Sequence, residues 1–215
     1  MKFRDPVNGL THLAGAFLSI AALVLLVYNA SLHGEMWHVV SFAIFGSSLI
    51  LLYTASALYH LLPVSEKGQR ILRRIDHMMI FVLIAGTYTP VCLIPLRGAW
   101  GWSLLVGIWV LAVAGIVLKA VWMQAPRWFS TMLYLVMGWL AVIAFWPLMN
   151  ALSLAGIGWL VLGGVFYSIG AVFYGAKWPN IIPGWFGFHE IFHLFVMAGS
   201  FSHFWLMARY ILYIR

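Results

Sequence analysis

Long apolar runs, broken at near-regular intervals by short clusters of turn-forming and charged residues, organise this chain from end to end. A helix rises about 1.5 Å per residue, so crossing a hydrocarbon core takes about 20 consecutive apolar residues. Seven stretches meet that requirement, at approximately 9–29, 37–62, 74–95, 100–122, 128–149, 154–175 and 186–212. The segments between them are "HGE", "PVSEKGQR", "PLRGAW", "QAPR", "SLAG" and "KWPNIIPGW", all rich in turn residues. The pattern predicts an all-α, polytopic membrane protein: one domain, residues 1–215, of seven transmembrane helices. Trp37, Trp100, Trp102, Trp128, Trp178 and Trp185 fall near predicted helix ends, where amphipathic rings sit at headgroup depth. Trp109 and Trp139 fall in mid-span and read as packing between helices.

The first apolar stretch, Leu10 to Tyr28, follows Lys2 and Arg4 as the core of a signal peptide would. It is longer than such a core, and no small-residue cleavage site follows, so it is expected to stay as the first span. The "NAS" at Asn29 abuts the membrane and carries no meaning as a glycosylation acceptor.

Composition supports the same picture. Hydrophobic residues make up 64% of the chain and charged residues 8%, with mean hydropathy +0.99. A soluble domain of this size has too little interior to hide that surface, so most of it must face lipid. The net charge of +7 is then a topology signal, not the footprint of a nucleic-acid partner. With the N-terminus inside, the inner face receives Lys2, Arg4, Lys67, Arg70, Arg73, Arg74, Lys119, Arg127 and Lys177. The outer face receives Arg97, Arg209 and Arg215. Nine of the 12 basic residues on one side orient the chain N-inside and, after seven spans, C-outside. The expected home is the plasma membrane, the inner membrane of a bacterium. This orientation is inverted relative to G-protein-coupled receptors, so helix count offers no functional analogy. The single cysteine, Cys92, excludes an internal disulfide and a cysteine-rich zinc cluster, and reads as a small apolar filler.

Polar groups inside a bilayer are costly unless paired, which makes each a candidate for function. Once orientation is set, they gather at one depth. His12 lies near the inner end of the first span, His60 ends the second, Asp76 and His77 open the third, and His189 and His193 open the seventh. His189 and His193 share a helix face about 6 Å apart, a spacing that lets two imidazoles chelate one ion. His60 is the natural third ligand, and a tetrahedral zinc site would be completed by water. Ser56 lies one turn deeper on the His60 face, and Asp76 is placed to hold water or act as a base. The competing reading is a set of hydrogen-bonded helix-packing residues.

The remaining polar residues are weaker candidates. His77 points about 100° away from Asp76 and is assigned an interhelical or interfacial hydrogen bond. His203 is too far along its helix to reach the same ion, and is left to line a cavity or bond another helix. His33 and His38 are expected to be solvated at the outer interface. Arg73 and Arg74 either snorkel to the inner surface or hold Asp76 ionised.

The spelling "HEIFH" also matches a zinc protease, with Glu190 as its base. The extended protease form needs glycine where Val196 stands and histidine where Gly199 stands, and the intramembrane form needs a later helix carrying Asp. Neither requirement is met, so Glu190 is read as incidental to the chemistry, an interfacial carboxylate or a partner of the helix N-terminus.

Together "SALYH" (Ser56–His60), Asp76 and the His189–His193 pair resemble the progestin and adipoQ receptor family, part of a superfamily that includes alkaline ceramidases. "NGLTHLAG", with Asn8, Thr11, His12 and Gly15, is similar to that family's first-helix motif. "DHMMIFVLIAGTYTP" and "HLFVMAGSFSHF" resemble its bacterial branch, the hemolysin III-like proteins. The resemblance covers nearly the whole chain. The long N-terminal extension of the animal receptors has no counterpart here, so their partner binding is not carried over. The resemblance implies a lipid-accessible cavity with Zn2+ near the cytoplasmic side, held by His60, His189 and His193. It implies that Asp76 contacts the zinc through water and that Ser56 assists hydrolysis. The chemistry implied is cleavage of a lipid amide by zinc-bound hydroxide.

Three functions follow as expectations. The first is a zinc-dependent hydrolase of membrane lipid amides or esters, ceramidase-like, affecting lipid homeostasis, with a membrane lipid or acyl chain as ligand. The second is a non-catalytic sensor or regulator of membrane state in which zinc staples two helices. The third is a pore or cytolytic protein, for which the sequence offers no mechanism.

Overall fold

The computed structural model describes residues 3–182 and 184–215. Lys2, one of the basic residues used for orientation, and Pro183, in the last connecting segment, lie outside the described residues. The chain forms α1 (Pro6–His33), α2 (Met36–Leu61), α3 (Glu66–Leu93), α4 (Ala99–Val121) and α5 (Arg127–Trp139). A 3₁₀ stretch (Leu140–Ala144) leads into α6 (Phe145–Ala151), followed by α7 (Leu154–Ala176) and α8 (Phe188–Leu206). A π-helical stretch over Met207–Ile211 prolongs α8. Among the described residues, seven spans are long and apolar enough to cross a membrane, with α5 and α6 counting as one. The predicted all-α polytopic architecture is therefore present.

Three departures from the predicted boundaries have local causes. The third helix begins at Glu66, eight residues before the apolar run. Ser65 caps it by accepting a hydrogen bond from the Gly68 N–H (3.3 Å), and Glu66 sits favourably in its first turn. "EKGQRILRR" is thus helix outside the apolar run; Arg73 and Arg74 are both exposed along it, but only Arg74 is clear of the cavity wall, which Arg73 lines together with Asp76.

The fifth span is interrupted. Pro147 lacks an N–H and its ring crowds the carbonyl four residues back, so regular helix gives way to the tighter 140–144 turn. The Tyr88 hydroxyl of α3 fills the break. It accepts from the Ala141 N–H (2.7 Å) and faces the carbonyls of Met137 (2.9 Å) and Gly138 (2.8 Å) as a donor.

The segment before α8 is not plain loop. It forms a two-stranded antiparallel ribbon, β1 (Asn180–Ile182) and β2 (Phe186–Gly187), with Asn180 opposite Gly187. Ile181, Ile182 and Trp185 on it are exposed.

Close helix contact relies on small residues, as in other membrane bundles. A Cβ at Gly15 of α1 would come within 2.8 Å of the Tyr53 ring, and one at Gly115 of α4 would overlap the Phe81 ring. Phe42, Phe45, Phe81 and Ile108 are fully buried between the helices, while Phe17, Val24, Val110 and Trp146 face outward. Cys92 is buried in the apolar cluster around Phe81 and Ile108, as a filler should be. Trp109 donates to Thr89 Oγ1 (3.2 Å) and Trp139 to Ser168 Oγ (2.9 Å), so both mid-span tryptophans do pack between helices.

Alternation of direction sets up the site. α1, α3, α5 and α8 begin, and α2, α4 and α7 finish, at the end of the bundle that carries most of the basic residues. This end is called the basic end below.

Candidate metal centre

The first two turns of α8 carry His189 and His193. Their helix starts at Gly187, whose N–H donates to Glu190 Oε2 (2.8 Å), the reciprocal half of a capping box. The other carboxylate oxygen, Oε1, accepts from Asn8 Nδ2 of α1 (2.6 Å). Glu190 is therefore not incidental, as the sequence reading had it: it starts α8 and fastens that start to α1. The reading of Glu190 as a partner of the helix N-terminus is the one the structure bears out.

His60, in the last turn of α2, meets the α8 pair. The ring centroids of His189 and His193 are 4.8 Å apart, and His60 lies 5.0 Å and 5.1 Å from them. One ligand nitrogen from each of the three falls within 4.8 Å of the others, a group that could hold a metal ion.

Hydrogen bonding turns two of the rings in a way that fits a metal. His60 Nδ1 donates to Asp5 Oδ2 (3.2 Å), which leaves its Nε2 as a lone-pair nitrogen; that atom is buried and has no hydrogen-bond partner. His193 Nδ1 donates to the Asn8 carbonyl (3.3 Å). A carboxylate or carbonyl behind the far ring nitrogen fixes the tautomer and raises ligand basicity, the usual support of a metal-binding histidine. Both rings are 2% exposed. A buried imidazole nitrogen with no partner is costly, and a bound cation relieves that cost. A metal held by these three nitrogens alone would keep room for a further ligand such as water.

Ser56 and Asp76 line a cavity of about 440 Å³ together with His189 and His193. Its volume lies in the range of small-molecule sites, about 300–1,000 Å³. Leu52, Ile80, Val91, Leu148, Leu160 and Val196 make much of its wall apolar. The Ser56 hydroxyl faces the Asp76 carboxylate. Asp76 does not belong to the histidine group itself.

The other predicted positions sort clearly. His77 Nδ1 donates to the Arg73 carbonyl of its own helix (2.7 Å), so the imidazole bonds within α3 rather than across helices or at the interface as assigned; Tyr134 of α5 reaches the His77 main-chain carbonyl instead (3.2 Å). His203 lines the far part of the cavity, stacked on Tyr167 with centroids 5.6 Å apart. His33 is exposed as expected, but His38 is buried: its Nδ1 accepts from the Glu35 N–H (3.0 Å) and caps α2. Lys119, counted among the inner-face cations, is 2% exposed and turned into the bundle.

Asp5, Asn8 and His12 complete the surroundings of the triangle; the sequence placed His12 at this depth and Asn8 in the first-helix motif without giving either a role, and did not single out Asp5. His12 stacks on His193 with centroids 3.6 Å apart and rings 10° from parallel, and meets the Tyr53 ring edge-on at 4.9 Å. Both its ring nitrogens are buried without partners. The signal was available, because positions 5, 8 and 12 are spaced three and four apart and so share one helical face.

Residues 2–204 match the family model described as "Haemolysin-III related". The chain is 46% identical over 206 residues to the "Hemolysin-3 homolog" of Bacillus subtilis (strain 168), covering 96% of this chain and 93% of that protein. It is 42% identical over 208 residues to the "Hemolysin-3" of Bacillus cereus, covering 97% and 92%. A more distant similarity, 27% over 229 residues, runs to the human "Monocyte to macrophage differentiation factor", covering 98% and 91%.

Proposed function

The chain belongs to the haemolysin-III related family, and from that premise and its buried histidines we propose that it is a zinc-dependent hydrolase of membrane lipid amides or esters. The observation that carries this reading is the His60–His189–His193 triangle, with an unpartnered Nε2 on His60, beside an apolar cavity that also holds Asp76 and Ser56. A product chain released inside a membrane alters lipid composition, so the role is in membrane lipid homeostasis.

Bound by these nitrogens, zinc supplies Lewis acidity toward a carbonyl oxygen and acidifies water. The chain does the rest. The apolar wall receives the acyl chain and keeps bulk water away from the carbonyl. The Asp76 carboxylate takes the proton of the attacking water and returns it to the leaving amine or alcohol. Ser56, facing Asp76, orients that carboxylate. Asp5 and the Asn8 carbonyl hold the His60 and His193 rings with their second nitrogens turned away from the site.

Metal analysis of the purified protein beside His60→Ala tests the first half: one zinc per chain is expected in the wild type and none in the variant. Release of fatty acid from an N-acyl sphingosine tests the second half, with loss of release expected in both His193→Ala and Asp76→Ala. Zinc without turnover on any lipid amide or ester sinks the hydrolase reading.

One observation favours the second reading, a lipid sensor with a structural zinc: Asp76 stands apart from the histidine triangle. That reading requires Asp76→Asn to leave function intact while loss of His60 unfolds the bundle. The lysis suggested by the name of the Bacillus cereus relative has the least support, because the cavity wall is largely apolar and only about 440 Å³ is enclosed.

A further inference from the structure

The wall of the cavity carries a second group of polar side chains that the histidine centre does not use. Arg73 of α3, Lys119 in the last turn of α4 and Arg127 at the start of α5 all line it at the basic end. Among the described residues, Asp76 is the only carboxylate on the same wall.

The other acidic residues of the chain are committed elsewhere. Asp5 pairs with His60 and Arg4, Glu35 with Arg97, and Glu66 with Arg70, while Glu190 accepts from Asn8 and Gly187. Three cations thus face the cavity against one carboxylate. Lys119 is the sharpest case. Its side chain is 2% exposed, and its ammonium has one hydrogen-bond partner, the Ser130 hydroxyl (2.5 Å). A buried ammonium without a counter-charge is strongly unfavourable, and a lysine serving only to anchor the bundle would reach the headgroup layer instead. Arg127 is held over the Tyr174 ring (4.5 Å) and gives one N–H to the Tyr174 carbonyl (3.3 Å), which leaves most of its donors free.

We infer that Arg73, Lys119 and Arg127 form a site for the phosphate group of an anionic lipid whose acyl chain lies along the apolar cavity. Two guanidinium forks and one point-charge ammonium suit a tetrahedral oxyanion with several acceptor oxygens. The inference rests on the reading of the cavity as a lipid site and narrows its ligand to phosphate-bearing lipids. It does not require hydrolysis.

Equilibrium binding to the purified full chain in neutral detergent tests it with three probes: palmitoyl lysophosphatidic acid, palmitoyl glycerol and inorganic phosphate. The phosphate-bearing probe should bind tighter than palmitoyl glycerol by about tenfold or more, the scale of one charge-assisted hydrogen bond. Lys119→Met, an apolar replacement of similar shape that keeps the packing, and Arg127→Gln should each remove most of that preference. Arg74→Gln, exposed and off the wall, should leave it unchanged; an equal loss there would mark a diffuse surface effect and overturn the site. Equal binding of the two acylated probes overturns the phosphate site and leaves the hydrolase reading standing. Binding of neither acylated probe overturns both. Displacement of lysophosphatidic acid by inorganic phosphate, with palmitoyl glycerol bound equally well, assigns the cations to free phosphate and overturns the lipid source.

Discussion

The helices that carry the proposed ligands and the helices that close the far side of the cavity are built differently. Of the apolar stretch of α2, 56% is buried and of that of α8, 44%, against 17% along α5 and α6. The histidine side is held by apolar packing and by side chains on close-fitting helices, so ring positions are fixed from several directions. The α5–α6 side is a thin wall, broken at 140–144 and joined to its neighbours through Tyr88, Tyr134 and Trp139. On the proposed function, burial would serve metal ligands, which need rigid support, and a thin, lipid-facing wall would serve an apolar ligand arriving from the bilayer. The division predicts that damage on one side is felt there first.

The largest effect is expected from His193→Ala. Removing one ligand should abolish metal retention and lower the melting temperature, because a metal that binds only the folded state adds its binding free energy to stability. Melting in detergent with and without added zinc checks this: the wild type should shift upward with zinc and the variant should not. A middle effect is expected from Asp5→Asn, which keeps an acceptor for His60 but removes its charge. Loss of such a supporting carboxylate typically lowers metal affinity by about 10–100-fold, readable by competition with a chelator. The smallest effect is expected from Tyr88→Phe. Leaving the Ala141 N–H unpaired should cost about 1–3 kcal/mol, seen in denaturant melts, with metal content unchanged. Loss of metal in Tyr88→Phe would show that the two sides are not separate and would break the comparison.

The seven spans and the gathering of His60, His189 and His193 were legible in the sequence for physical reasons. Hydrocarbon thickness sets a length that a hydropathy pattern must meet, and unpaired intramembrane histidines are rare enough to point at one another. What stayed hidden was whatever hydropathy does not measure. The helix of 66–73 is polar, so its cap at Ser65 was the only signal for it. The interruption at 140–144 depends on Pro147 together with a hydroxyl that arrives from α3, fifty-three residues away from Ala141 in the chain. Asp5 was overlooked because it precedes the apolar run, although it sits three residues before Asn8 and seven before His12. The burial of His38 follows from its turning back to cap its own helix, a local choice that a position near a span end does not reveal. Lys119 was counted as an interfacial anchor, and only three-dimensional packing turns it inward.

The makeup of the histidine triangle also bears on how the protein comes into being. His60 emerges with the second span, and Asp5 and Asn8 precede it, but His189 and His193 sit on the last helix to be synthesised. Until α8 inserts beside α1 and α2, the chain has one of three ligands and cannot chelate. On the proposed reading, metal capture comes at the end of membrane assembly and joins the first helices to the last, so a chain stalled before α8 would be recognisable by its inability to retain the ion.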